Sequence, residues 1–144
     1  MTRIESAVFY GCSSLTNVVI PDSVTSISYS AFYDCTSLSS ITLPNTVRYI
    51  NKQAFFGCES LTDITIPNGV TGIGDLAFYG CSSLTSVAIP DSVTSIGESA
   101  FCSCRSLTSI EIPTSVTSIG ESAFAASSSI SLMKLASITI PDSV

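Results

Sequence analysis

The stretch IPDSVTSIGESAF, Ile89 to Phe101, returns ten residues later as IPTSVTSIGESAF, Ile112 to Phe124. The offset between the two is 23 residues, and the same interval runs through the rest of the chain. Phenylalanine stands at Phe9, Phe32, Phe55, Phe78, Phe101 and Phe124. Cysteine stands at Cys12, Cys35, Cys58, Cys81 and Cys104, and proline at Pro21, Pro44, Pro67, Pro90 and Pro113. Self-similarity at a period of roughly 20 to 50 residues marks a solenoid, in which each unit packs on its two neighbours. One array over residues 1–144 is expected, with units starting at Met1, Val24, Val47, Val70, Val93 and Val116.

The consensus of the unit is V-T-S-I-G-x-x-A-F-x-x-C-x-S-L-T-x-I-x-I-P-x-x. Its L-x-x-I-x-I segment, as in Leu38, Ile41 and Leu43, alternates with period two and predicts a strand. Proline stops that strand because it has no N–H for the ladder, and the Asp or Asn that follows favours a turn. V-T-S-I predicts a second short extended strip. Asn51, Gly74, Gly97 and Gly120 follow it, where a turn with positive φ is expected. A-F-x-x-C is too short for a stable helix and predicts one helical or 3-10 turn that buries Ala and Phe. The fold class is thus a solenoid of six stacked units with parallel β-strips. A unit this small does not offset its own ordering entropy, about 1.5 kcal/mol per residue, so stability must come from stacking.

Composition narrows the function. Apolar residues are 45% of the chain, charged residues only 11%, and the formal net charge is −6. The five basic residues, Arg3, Arg48, Lys52, Arg105 and Lys134, are scattered, which argues against nucleic acid, whose phosphates require clustered cations. No stretch reaches the ~18 to 20 apolar residues of a membrane span. No secretory signal is visible. The chain opens and closes at the same phase of the repeat, and so reads as an array cut from a longer protein. A coil left bare at each end then favours end-to-end self-association.

The L-x-x-I-x-I-P strand followed by V-x-x-I-G-x-x-A-F-x-x-C resembles the BspA-like, or Treponema-type, leucine-rich repeat. The resemblance covers the whole chain, and Ile89 to Phe101 is close to that family's consensus. It implies a right-handed leucine-rich-repeat coil carried on the cell surface or secreted. It further implies an adhesion or protein-binding role, with host matrix or surface proteins as the class of partner.

Four features are candidates for function. The column Tyr10, Tyr33, Phe56 and Tyr79, continued by Cys102 and Ala125, follows the buried phenylalanine by one residue and should lie at a surface edge. Such a stripe either anchors a protein or sugar, or merely stiffens the rod. The outward positions of the L-x-x-I-x-I strip, expected to form a concave face, include Ser40, Thr42, Asp63, Thr65, Ser86, Ser109 and Glu111, with Asn17, Val19, Ala88, Ser137 and Thr139. The cysteine column reads as buried thiols, as disulfide pairs between adjacent coils, or least of all as metal ligands. Cys102 is expected at the surface and as the one thiol open to labelling. In the last unit 16 residues separate Phe124 from Pro141 where other units have 11, an insertion around Ser127 to Leu132.

Catalysis is not expected. The chain has no histidine and no phosphate or calcium loop signature, and the repeat is not expected to bring together a tight Asp/Glu pair. No cofactor or metal is expected either. A structural spacer is the alternative to a binding module. An ice-binding face on Thr2, Thr25, Thr71, Thr94 and Thr117 is a remote third reading, because Arg48 interrupts that column.

Overall fold

The computed structural model describes residues 2–127 and 133–144. Each coil contributes two short strands. The V-T-S-I segments form β1 (Arg3–Ile4), β3 (Ser26–Ile27), β5 (Tyr49–Ile50), β7 (Gly72–Ile73), β9 (Ser95–Ile96) and β11 (Ser118–Ile119). These join in one parallel six-stranded sheet in chain order. The L-x-x-I-x-I segments form β2 (Asn17–Val19), β4 (Ser40–Thr42), β6 (Asp63–Thr65), β8 (Ser86–Ala88), β10 (Ser109–Glu111) and β12 (Ser137–Thr139). Their ladders are interrupted, and they pair as β2 with β4, β6 with β8 and β10 with β12.

Register follows the repeat. Ser26 lies beside Tyr49 and Ile27 beside Ile50, each 23 residues on. The exception is Ser109 beside Ser137 and Ile110 beside Ile138, a step of 28. The extra residues of the last unit are therefore absorbed between Phe124 and Ser137, and the strand recovers its place. Most of the insertion itself, residues 128–132, lies outside the described residues.

The corner differs from the expected helical or 3-10 turn. In the second coil the N–H groups of Ser30, Phe32 and Asp34 donate forward to the carbonyls of Lys52, Ala54 and Phe56, at 3.1, 2.8 and 2.7 Å. Those of Ala31, Tyr33 and Cys35 turn back to Ser28, Ser30 and Phe32. Alternate residues thus serve a third ladder between coils while the others close local turns. Alternation requires left-handed backbone, which appears at Ser30 (φ 52°) and Asp34 (φ 52°) and breaks any helix. The same two columns hold positive φ in other coils, at Gln53, Leu76, Ser99 and Ser122 and at Gly57, Gly80 and Ser103.

Positive φ was expected two residues too early, at Asn51, Gly74, Gly97 and Gly120. Glycine is used there for a different reason. A Cβ on Gly97 would stand 2.5 Å from the Asp75 nitrogen and 2.6 Å from the Gly74 carbonyl carbon, in the coil below. The coils are pinched at this column, where the Gly97 N–H reaches the Ile73 carbonyl at 2.8 Å. Asn51, which does carry a Cβ, holds the equivalent bond to Ile27 at 3.1 Å.

Between the strips lies one continuous core. Phe32, Phe55, Phe78 and Phe101 are fully buried, with columns of Val, Ile, Leu and Ala around them. The phenylalanine rings stack from Phe9 to Phe124 with centroids 5.1 to 5.7 Å apart.

Two substitutions test this packing. Phe55→Ala removes a fully buried ring that stacks on both sides and should cost about 3–5 kcal/mol in urea unfolding. Gly97→Ala should also destabilise, although its φ is ordinary, because the two nearest clashes are with backbone, which cannot swing aside as the Asp75 carboxylate can. An unchanged unfolding midpoint for Gly97→Ala would show that the coils separate freely at this column.

Candidate functional site

The aromatic column forms a second stack outside the core. Tyr10 and Tyr33 lie 4.5 Å apart, Tyr33 and Phe56 4.5 Å, and Phe56 and Tyr79 4.7 Å, with planes within 6° of parallel. Each ring follows a core-facing phenylalanine, fully buried except at Phe9, and precedes a left-handed residue (Gly11, Asp34, Gly57 or Gly80). The chain therefore swings the ring outward at the same angle in each coil. The consequence for binding is restrictive. Inside the stack each ring face is covered by its neighbour, so the column offers edges and phenol groups rather than faces. Burial, then the charge of Asp34 and the neighbouring Tyr10, push the Tyr33 phenol above its ordinary value. A groove of about 360 Å³ runs along the edges of Phe56 and Tyr79, lined also by Asp34, Glu59, Ser82 and Arg105.

The column stops at Cys102, and the expectation of a surface thiol there is wrong. Cys102 is 4% exposed. Ser103 beside it donates its N–H to Ala125 and accepts one from the Ser127 N–H at its hydroxyl, so the next coil's chain closes over this corner. Cys12 is the exposed cysteine.

The buried-thiol reading fails at Cys12, in the terminal coil, and fits Cys35, Cys58, Cys81 and Cys104, which are free and buried. Their role is more definite than filling space. Each sulfhydryl donates to the carbonyl of the phenylalanine one coil back: Cys35 to Phe9 at 3.1 Å, Cys58 to Phe32 at 3.2 Å, Cys81 to Phe55 at 3.3 Å and Cys104 to Phe78 at 3.2 Å. Burial is the main reason their thiols are pushed up, Cys35 to about 11 and Cys104 to about 12, with Cys58 and Cys81 further still. The threonine column behaves similarly. Thr25, Thr94 and Thr117 donate their hydroxyls to the threonine carbonyl one coil back, at 3.0, 3.1 and 3.2 Å.

The outward residues of β4, β6, β8 and β10 are where the alternation places them. Ser40, Thr42, Asp63, Thr65, Ser86, Ser109 and Glu111 are exposed around buried Ile41, Ile64, Val87 and Ile110. Asn17, Val19, Ala88, Ser137 and Thr139 are exposed on the same strip. A depression of about 270 Å³ lies over Ser86 and Glu111. These residues and the aromatic column occupy different strips of the coil and do not form one site. On the outward side of the six-stranded sheet, sequence reasoning considered only the threonine column. There Tyr29 and Tyr49, 49% and 57% exposed, stand where other coils carry small or charged residues. Comparing the units with one another reveals both.

Among the described residues no group of three or more His, Cys, Asp or Glu is placed to hold a metal ion. No helix among them is long and apolar enough to cross a membrane.

A coil of this repeat, with parallel strips and a stacked Phe core, defines a leucine-rich-repeat solenoid. Six copies of the BspA type leucine rich repeat region match residues 2–131, and the chain belongs to that family. Among solved structures it is similar to the T. pallidum leucine rich repeat protein (35% identity over 83% of this chain, TM-score 0.77). It is also similar to a leucine rich cell surface protein from Faecalibacterium prausnitzii (40% identity over 96%, TM-score 0.79). A third is a leucine-rich repeat protein from Bacteroides ovatus (32% identity over 99%, TM-score 0.71). The chain spans 62%, 36% and 42% of these three proteins respectively. No protein of curated function matches it.

Thiol labelling of the folded chain at neutral pH should modify Cys12 and leave Cys35, Cys58, Cys81, Cys102 and Cys104 untouched. Rapid reaction at several ladder positions would show that the inward placement is wrong. A pH dependence follows as well. The ladder thiols ionise less readily folded than unfolded, so their contribution to stability is complete below the free-thiol value. It is lost as pH rises from about 9 towards 11 to 12. Urea midpoints should fall over that range, and replacing Cys35 and Cys104 with alanine should reduce the fall.

Proposed function

We propose that the chain is a non-catalytic, protein-binding module of a cell-surface protein, acting in adhesion. The observation that carries this reading is the six-copy family match over residues 2–131. It is supported by likeness to a relative described as a leucine rich cell surface protein. The surface fits recognition better than chemistry. It presents hydroxyls, a few carboxylates and aromatic edges, and the sequence contains no histidine to act as a base. Host matrix or surface proteins are the partners in view. The groove beside Phe56 and Tyr79 and the strip from Ser40 to Glu111 are the two surfaces proposed to receive them. Solenoids bind through extended faces of this kind.

A spacer role is the second reading, and the covered ring faces favour it. A continuous stack from Tyr10 to Tyr79 adds about 0.5–1.5 kcal/mol per pair beyond area burial and spends the surfaces a ligand would use.

Capture assays separate the two. The immobilised chain should retain matrix proteins above the level of an inert solenoid of the same length. A variant with Tyr33, Phe56 and Tyr79 changed to serine, checked by circular dichroism for a retained fold, should retain less. Background retention by the parent would leave the spacer reading standing. Equal retention by parent and variant would exclude the aromatic edge.

A further inference from the structure

In a repeat array each coil serves as a reference for the others, so departures at outward positions stand out from what the fold needs. On the six-stranded sheet the outward column reads Arg3, Ser26, Tyr49, Gly72, Ser95, Ser118 along the ladder. The column three residues later reads Ser6, Tyr29, Lys52, Asp75, Glu98, Glu121. Serine or a short acid is ordinary in these places. Tyrosine and a cation are not, and they gather in the first three coils.

The departures border an open hollow. Arg3, Ser26, Tyr29, Tyr49, Asn51 and Lys52 line a pocket of about 430 Å³, within the size range of small binding sites. Tyr49 is a ridge rather than a wall. It is flanked across the ladder by Ser26 on one side and Gly72 on the other, and a second hollow of about 330 Å³ opens on the glycine side. Neither Tyr29 nor Tyr49 stacks on another ring among the described residues, in contrast to the corner column. Their faces are not spent on ring stacking. The two tyrosines are among the few large apolar side chains left half-exposed, although nothing in the core requires them there.

Charge gives this face a direction. Arg3 has no acidic partner among the described residues. Lys52 meets Asp75 at 3.8 Å with both side chains nearly half-exposed, a pair worth at most about 1 kcal/mol and easily shared with an incoming carboxylate. One coil beyond Lys52 the same column turns acidic, at Asp75, Glu98 and Glu121. Apart from Glu5 in the first coil, the outward columns are cationic and aromatic at one end and anionic at the other.

We propose that this face binds an acidic segment of a partner protein. Its carboxylates lie with Arg3 and Lys52, its chain packs on Tyr29 and Tyr49, and basic residues follow over Asp75, Glu98 and Glu121. A uniformly anionic glycan suits the pocket alone. Extended along the sheet it meets the acidic column within one to three coils of ~4.8 Å, which begins inside a Debye length of ~8 Å. A segment with acidic and then basic residues matches both ends. The inference rests on the protein-binding reading above but on neither of the two surfaces named there.

The test uses amide chemical-shift mapping on the isotopically labelled chain. The probes are a synthetic peptide with a glutamate block followed by a lysine block, a peptide of the same composition with charges alternating, and oligogalacturonate. The block peptide should shift Ser26, Tyr49, Asn51 and Lys52, and bind more tightly than the other two. Lys52→Glu, and Tyr29→Ser combined with Tyr49→Ser, should each weaken it about tenfold, equivalent to ~1.4 kcal/mol. The array itself shows that serine is accommodated at these columns, at Ser6 and at Ser26, Ser95 and Ser118, so the double variant should fold. Absence of shifts with the block peptide overturns the proposal. So does oligogalacturonate binding as tightly, or a double variant that binds like the parent. Matrix-protein capture that survives both pocket variants undiminished overturns this site while leaving the broader reading intact.

Discussion

Each coil of this chain takes its hydrogen-bond partners from the next coil, and the rest of the structure depends on that constraint. An isolated unit would leave the outward-reaching N–H groups of both strips and of the corner unpaired. Alternate corner residues satisfy theirs only by adopting left-handed backbone, at Ser30 and Asp34 for example. A left-handed non-glycine residue costs of order 1–2 kcal/mol. That cost recurs in each coil and is offset because the ladder and the buried phenylalanine arrive together. Side chains extend the same logic: cysteine thiols and threonine hydroxyls donate one coil back, to carbonyls that already serve a backbone N–H.

Inward positions were the legible part of the sequence. The period, the two strips, the stacked Phe and the free thiols at Cys35, Cys58, Cys81 and Cys104 all follow from which residues recur, because burial constrains both size and polarity. Backbone detail was less legible. Gly74 and Gly97 look like left-handed turn residues, yet they are there because the neighbouring coil lies too close for a Cβ. One left-handed column instead carries Ser30, Gln53, Leu76 and Ser99, whose side chains give no sign of it, while the other shows itself through Gly11, Gly57 and Gly80. Cys102 misled for a related reason. Its column is aromatic and outward in four coils, but its exposure is decided by the chain that crosses above it near Ser127.

The outward surface follows the opposite rule. Its consensus residues, Ser95 and Ser118 for instance, report only that nothing is required there. Tyr49 and Tyr29 carry information because they break the repeat. The Tyr10 to Tyr79 column shows why regularity alone is a poor guide to binding. Repeated rings at coil spacing recognise one another first, and what remains for a ligand is their rim.

The two strips are bonded unequally, and this has a mechanical consequence. The V-T-S-I sheet is continuous through six strands, whereas β4 and β6 are not joined by a ladder, nor are β8 and β10. Between the second and third coils the Thr62 N–H reaches Ser39 at 3.4 Å, against 3.0 Å for Thr85 to Thr62. One side of the rod is therefore a continuous leaf and the other a row of paired slats with breaks between the pairs. Bending that opens the slatted side strains few hydrogen bonds, while bending that opens the leaf strains the whole sheet. The array has a soft direction and a hard one, with Tyr29, Tyr49 and Lys52 mounted on the leaf. A ligand held there rides on the side that keeps its shape, while the Ser40 to Glu111 strip lies on the side that gives.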